Sequence, residues 1–391
     1  MSKVSTSNKN KIIAKTFFGT ENVCAQELSE LGAQNIEILN RAVSFDYDKK
    51  ILYKVNLWSR TAVSFLSGIA DFNFKTQEEF YHRMYEIDWN SHFSVKKTIL
   101  IKAVINRTSF SNSHYVSMKS KDAIVDYFRD KFGERPSVDS ENPDIKIDVY
   151  LNGENCIVSI DSSGAPLFKR GYRKIQGEAP INEALAANLL IMGGYKAEIP
   201  LIDPMCGSGT FAIEAALMAT NTAPGLLRKQ FSFHNWNDFD AALWDDLVNE
   251  AKGLINNNPF KITAFDIDSK SIDGARQNIL RAGMLGKINL SRQDFFKFDP
   301  PRPPGMVIIN PPYGQRLKPE NLLQFYNDIG KRLKFNYPGY KAWIISSEIE
   351  AIHKISLKPI VKHKLMNGKL DCRFDGYSLY EGSRKVLSPE S

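Results

Sequence analysis

The hydrophobic positions of this chain change rhythm once, near residue 163. From Ile12 to about Lys50 an apolar run (IIAKTFFG) leads into a helical pattern opened by Thr20 and Glu21 and closed at Leu31-Gly32. An extended stretch ending VSFDYD follows, and the three together predict a small β-α-β unit. Residues 51–162 predict a helix within KKILYKVNLWSRTAVS, a strand FLSGIADF, a helix from about Thr76 to Ile87, a strand TILIKAVIN and a helix from about Lys121 to Phe132. The alternating segment DIKIDVYLNGENCIVSID then predicts a hairpin turning at Asn152-Gly153. This half is mixed α+β and gathers no evident acid, base or metal constellation.

After about Ser163 the pattern becomes strand then helix, repeatedly: PLID with TFAIEAALMAT, KITAFDID with SKSIDGARQNILRAG, then KINLSRQD, MVIIN and AWIISS. Short, continuously apolar strands between helices predict a parallel sheet covered on both faces. HKLMNGKLDCRF adds two late antiparallel strands joined by a type I′ turn at Asn367-Gly368. The expected layout is therefore 1–50, 51–162 and 163–391, which suits a chain of 391 residues at roughly 150 per domain.

Composition narrows the class. No apolar run approaches the ~18 residues of a membrane span, and MSKVSTSNKNKIIAK holds no signal-peptide core. Cys24, Cys156, Cys206 and Cys372 lie far apart with no C-x-x-C pair, so neither a zinc cluster nor a disulfide framework is expected, and the expected compartment is a reducing cytoplasm. The net charge of +7 suits either an anionic partner such as nucleic acid or a basic surface kept for solubility. It is unevenly spread: residues 1–250 carry 28 basic and 31 acidic side chains, residues 251–391 carry 23 and 13.

Three strand ends carry candidate chemistry. Asp203-Pro-Met-Cys206-Gly207-Ser208-Gly209-Thr210-Phe-Ala212 closes an apolar strand and opens an apolar helix, with glycines spaced for a tight turn and for close approach of a ligand to a helix N-terminus. The alternative is a Gly-rich turn holding nothing. NAD is disfavoured, because APGLLRKQF stands where its acidic residue would be expected. In AFDID, Asp266 is placed to accept ribose hydroxyls, while Asp268 or Ser269 can cap the next helix. Asp294 can bond an adenine and Phe295 cover it, with a core role for Phe295 as the alternative. The last end is Asn310-Pro311-Pro312-Tyr313. Two prolines fix φ and lack N–H donors, so they hold the preceding carbonyls rigid as acceptors. Asn310 adds a side-chain carbonyl and Tyr313 a flat face, a combination suited to a stacked base with an exocyclic amine. The aromatics of FSFHNWNDFDAALW (Phe231, Phe233, Trp236, Trp244) are read as packing rather than base contacts.

With DPMCGSGT, AFDID, QDF and NPPYG in this order, the C-terminal half resembles class I S-adenosylmethionine-dependent methyltransferases that act on amino groups. The whole chain is similar to THUMP-domain RNA methyltransferases, in particular bacterial large-subunit ribosomal RNA guanine-N2 methyltransferases. The resemblance extends through KRGYR, the FSFHNW insert, KSKDAIVDYF and the Asn152 hairpin. It implies a Rossmann-like α/β sheet with a late antiparallel hairpin, preceded by a ferredoxin-like segment and a THUMP module. It implies S-adenosylmethionine as cofactor, with Asp203, Gly207 and Gly209 at its methionine end and Cys206, Ser208 and Thr210 in the same loop. Asp266 would take the ribose, Asp294 and Phe295 the adenine, and Asn310, Pro311, Pro312 and Tyr313 the target base. RNA would be the partner, most often 23S ribosomal RNA or a ribosome assembly intermediate. Phosphate contacts are expected from Arg170, Arg173, Arg316, Lys318, Lys331, Arg332 and Lys334. Rival readings are guanine-N2 methylation of transfer RNA, N6-adenine methylation of DNA, and an RNA-binding assembly factor with idle chemistry.

Overall fold

The structure, a computed structural model, describes residues 10–173, 181–312, 319–368 and 370–380. The chain forms two compact units. One gathers the residues up to Thr16, Cys24–Lys169 and Ala223–Gly253; the other gathers Phe17–Val23, Arg170–Thr222 and Leu254 onward.

The first unit opens with β1 (Lys11–Lys15), α1 (Glu21–Glu30, whose first residues belong to the second unit), β2 (Glu37–Leu39), β3 (Ala42–Asp46), α2 (Lys49–Trp58) and β4 (Ser64–Asn73). It continues with α3 (Gln77–Tyr85), α4 (Trp89–His92), β5 (Ile99–Asn106), α5 (Ser113–Phe132), β6 (Ile145–Asn152) and β7 (Asn155–Asp161). Its seven strands form one sheet in the order β2-β3-β1-β4-β7-β6-β5, antiparallel except for β5 beside β6. The expected β-α-β unit is corrected by this pairing: β3 runs antiparallel to β1, and a short extra strand, β2, forms a hairpin with it. Helix α5 begins eight residues before its predicted start, because the Asn112 side chain accepts the His114 N–H at 2.8 Å and caps it there. The hairpin turn is shifted by one: Asn152 pairs with Asn155, so Gly153-Glu154 forms the loop, with φ +63° at Gly153 as a Gly-X turn requires.

The second unit takes up the chain with α6 (Glu183–Met192), β8 (Leu201–Asp203) and α7 (Thr210–Ala219). Residues Ala223–Gly253, ending in α8 (Ala241–Gly253), then return to the first unit. There Phe233 stacks on Tyr53 of α2 at 4.5 Å and on Phe231 at 5.3 Å, and Trp244 closes edge-on at 5.1 Å. Gly225 lies so close to α2 that a Cβ would sit 2.6 Å from the Leu57 carbonyl oxygen. The insert aromatics are packing, as expected.

The second unit resumes with β9 (Ile262–Asp266), α9 (Ser269–Arg281), β10 (Asn289–Arg292), β11 (Gly305–Ile309), α10 (Pro319–Asn336), β12 (Tyr340–Ser346), α11 (Ile349–Ile352), β13 (Val361–Asn367) and β14 (Leu370–Ser378). Its sheet order is β10-β9-β8-β11-β12-β14-β13. The first five strands are parallel, and β14 runs antiparallel between β12 and β13. Continuous burial along β11 and nearly all of β12 fits the covered sheet that their apolar runs predict. The late hairpin is present, its loop again one residue later than predicted, since Asn367 pairs with Leu370.

Candidate active site

Strand β8 is central. The chain winds outward from it to β9 and β10, then crosses back to β11 on its other side. In an open parallel sheet this reversal opens a crevice at the carboxyl ends of the strands, here between β8 and β11. Asp203 ends β8 and Asn310 follows β11, with register pairs Leu201–Met306 and Ile202–Val307 holding the two strands level. On the other flank Asp203 pairs with Ala264, so Asp266 continues two residues further in the same direction.

The loop after β8 is held from several sides. Gly209 (φ +79°) caps α7, and its N–H donates to the Cys206 carbonyl at 2.8 Å. The Cys206 N–H donates to the Phe265 carbonyl at 3.1 Å, and the Gly207 N–H (φ +51°) to Asp266 Oδ2 at 3.0 Å. Asp266 Oδ1 accepts the Asp268 N–H at 3.0 Å. Asp268 is the helix cap: its carboxylate accepts the Lys270 and Ser271 N–H groups and the Ser271 hydroxyl, bonds that hold its pKa below the ordinary value. A Cβ on Gly207 would meet nothing within 4 Å, so the loop leaves open space over that residue.

Asp203 stands apart. It is 1% exposed, and neither carboxylate oxygen has a hydrogen-bond partner among the described residues. Burial, with repulsion from Asp266, pushes its pKa well above the carboxylate range, which the nearby Ala212 N–H only partly offsets. The neighbouring Cys206 thiol is pushed up by burial and by the same two carboxylates, so it stays protonated. Asp294 is half-buried and uses Oδ1 to accept the Phe296 N–H at 2.9 Å. Phe295 packs in the core, 3% exposed and stacked against Tyr337 at 5.9 Å. Asn310 and Pro312 are half-buried and Pro311 buried; Tyr313, Arg316 and Lys318 lie outside the described residues.

A family model for the RMKL-like methyltransferase domain matches residues 170–375, just over half of the chain. The chain belongs to this family. A THUMP domain model matches residues 74–161 and an RlmL ferredoxin-like domain model residues 11–63. A provisionally named RNA methyltransferase of Synechocystis sp. is 38% identical over 364 residues, covering 93% of this chain and 95% of that protein. Ribosomal RNA large subunit methyltransferase K/L of Shewanella sp. is 38% identical over 377 residues, 95% of this chain and 53% of its own. The chain thus spans about half the length of the K/L relatives. Among solved structures, SMU.472, a provisionally assigned methyltransferase crystallised with S-adenosylhomocysteine (SAH), aligns with TM-score 0.86 and 29% identity, over 95% of this chain and 99% of that one.

Within the RMKL-like fold, three of the expected RNA contacts are corrected. Arg170 is 1% exposed and pairs with Glu214 of α7 at 3.5 Å, where Glu214 also accepts the Tyr172 hydroxyl at 3.0 Å. Arg173 is buried against Glu183 of α6 at 3.4 Å and donates to Thr210 Oγ1 and the Ile181 carbonyl. The two arginines carry internal charge pairing, and Thr210 spends its hydroxyl on Arg173, so its side chain braces the loop. Arg332 of α10 donates to the Phe298 carbonyl at 2.6 Å with most of its side chain covered. Lys331 and Lys334 are exposed on α10.

One loop support was not singled out in the sequence. Asn278, fully buried on α9, donates through Nδ2 to the Ser208 carbonyl at 3.1 Å. Its signal was present: it stands beside Ile279 in the stripe formed with Ile272 and Ala275, a polar residue on an otherwise apolar face. The same helix constrains Gly209, where a Cβ would lie 3.3 Å from Ala275 Cβ on a backbone already at positive φ. Gly209→Ala is expected to destabilise the second unit by about 1–3 kcal/mol and to weaken SAH binding, read by thermal unfolding with and without SAH. Wild-type melting in both conditions would mean that neither the φ nor the contact matters.

Proposed function

We propose that this chain transfers the methyl group of S-adenosylmethionine to the exocyclic amine of a base in RNA, namely N2 of a guanosine in 23S ribosomal RNA. The observation that supports it most is Asp203, a buried carboxylate with only the Ala212 N–H nearby and no hydrogen-bond partner within bonding geometry among the described residues, at the mouth of the β8/β11 crevice. Such a group is costly to bury alone, and a ligand ammonium removes that cost. The α-ammonium of a methionine moiety has that chemistry, and the adjoining N-terminus of α7 favours its carboxylate. The cofactor supplies an electrophilic sulfonium methyl.

The remaining roles belong to the chain. Gly207 leaves room for the ligand over the loop. Each Asp266 oxygen accepts one backbone N–H and keeps lone pairs for ribose hydroxyls. Asp294 is assigned to the adenine. Asn310 Oδ1 and the Pro311 carbonyl accept the two hydrogens of the target amine, and Tyr313 stacks on the base. The nitrogen lone pair is thereby aimed at the methyl carbon, and the amine loses its proton readily once methylated, so catalysis is mainly positioning in a water-poor crevice. RNA as substrate is supported by the THUMP match and by the names of the relatives.

The test is methyl transfer from labelled S-adenosylmethionine to protein-free large-subunit rRNA fragments, transfer RNA and DNA, followed by digestion to nucleosides. N2-methylguanosine from the rRNA fragments is expected. The same nucleoside from transfer RNA alone would move the substrate, and N6-methyladenine in DNA would overturn both base and polymer.

A further inference from the structure

The pairing register carries the level of Asn310 across the sheet to its far edge. Ile309 pairs with Ile344, Ile344 with Asp375, and Asp375 with Lys362. Two residues on, Ser346 pairs with Arg373 and Arg373 with Lys364. Lys362 and Lys364 on β13 therefore flank the row of Asn310, three strand spacings or about 14 Å away. Both are exposed, share one face by the two-residue period, and have no carboxylate within 4 Å among the described residues. Residues 353–364 contain four lysines and no Asp or Glu. Lys364 stands opposite Arg373, whose guanidinium is engaged by Asp375 and His353.

A turn from a distant part of the sequence lies against this strand. The turn at Phe17–Gly19 belongs to the same unit, and Gly19 (φ +84°) approaches β13 so closely that a Cβ would lie 2.5 Å from the Lys364 carbonyl oxygen and 3.1 Å from Leu365 Cδ2. Its neighbour Phe18 is 43% exposed. Basic side chains along a strand next to an exposed aromatic ring are the combination that binds single-stranded nucleic acid, phosphates on the cations and a base on the ring.

We propose that Phe18, Lys362 and Lys364 form a track for single-stranded RNA that holds nucleotides flanking the target base. The proposal rests on the RNA methyl-transfer reading and adds where flanking nucleotides are held: at the exposed β13 edge of the sheet, level with Asn310. The charged edge also deters edge-to-edge strand pairing, a role that requires no RNA.

Fluorescence anisotropy with a labelled single-stranded RNA of large-subunit rRNA sequence, over a salt series, separates the two. Lys362→Gln/Lys364→Gln should flatten the slope of log K against log salt by about 1.4, the contribution of two phosphate contacts to a single strand. Phe18→Ala should weaken binding roughly tenfold, and Phe18→Trp should restore it. SAH affinity by calorimetry should stay at the wild-type value in all three variants, which shows that they are folded. Wild-type slope and affinity in the variants would overturn the track while leaving the reaction reading intact. A wild-type protein that neither binds nor methylates RNA would remove the reaction reading, and the track with it.

Discussion

Asn310→Ala is expected to lower kcat for methyl transfer by at least about a hundredfold while SAH binds within about twofold of wild type. Asn310 follows β11 across the crevice from Asp203 and is half-buried, so its truncation opens no core cavity and leaves the loop after β8 untouched. What the variant loses is one of two acceptors proposed to hold the target amine. An amine held by a single acceptor can rotate, and its lone pair leaves the line of attack. Because the reaction needs little acid or base help, orientation carries most of the rate enhancement, and misplacement of about 1 Å is enough for a loss of this size. Single-turnover methyl transfer with saturating S-adenosylmethionine reads the rate, and calorimetry with SAH reads the cofactor site. A variant that transfers methyl at the wild-type rate would remove Asn310 from the reaction. One that loses SAH binding in parallel would place it in the cofactor site.

The parts of this protein legible in its sequence are those set by short-range rules. MVIIN and KITAFDID became buried parallel strands because nothing but a covered sheet accommodates such runs, and Asp268 became a helix cap because the chain beside it is helical. The misses have long-range causes. Arg170 and Arg173 look like free cations in KRGYR, yet Glu183 and Glu214, which neutralise them, are supplied by later helices that fold back onto them. Asn-Gly taken as the two-residue loop puts both hairpins one residue early, whereas in each the asparagine is the last paired residue. The grouping of Ala223–Gly253 with the first unit was equally hidden, since the aromatics of the insert state that they pack and not against what. At the candidate site the sequence located Asp203, Asp266 and Asn310 at neighbouring strand ends. That Asp203 lacks a hydrogen-bond partner among the described residues is a property of the folded loop, whose own N–H groups go to Asp266 and to the Cys206 carbonyl.

Asp203→Asn is expected to separate stability from binding in opposite directions. The folded-state pKa of Asp203 is raised above the unfolded value of ~3.9, so the folded protein holds this proton more tightly. The contribution to stability is therefore full below ~3.9 and is lost as pH rises through the folded value. The asparagine variant has no such titration, and the ligand-free protein should melt higher than wild type near neutral pH, with a flatter dependence of Tm on pH. Asp161, raised to about 6 by burial, and Glu183, raised by burial, slope the same way. The quantity to read is therefore the difference between wild type and variant. Binding follows the other sign. An ammonium ligand needs the ionised carboxylate, so SAH affinity of the wild type should fall as pH drops through the folded pKa, and binding should release a proton wherever the free protein is protonated at Asp203. Loss of a charged hydrogen bond should weaken SAH binding by roughly 10- to 150-fold in the variant and abolish that proton release. Calorimetry in buffers of different ionisation enthalpy measures both. A variant with wild-type SAH affinity and unchanged proton release would show that the buried carboxylate of Asp203 does not face the ammonium of the ligand.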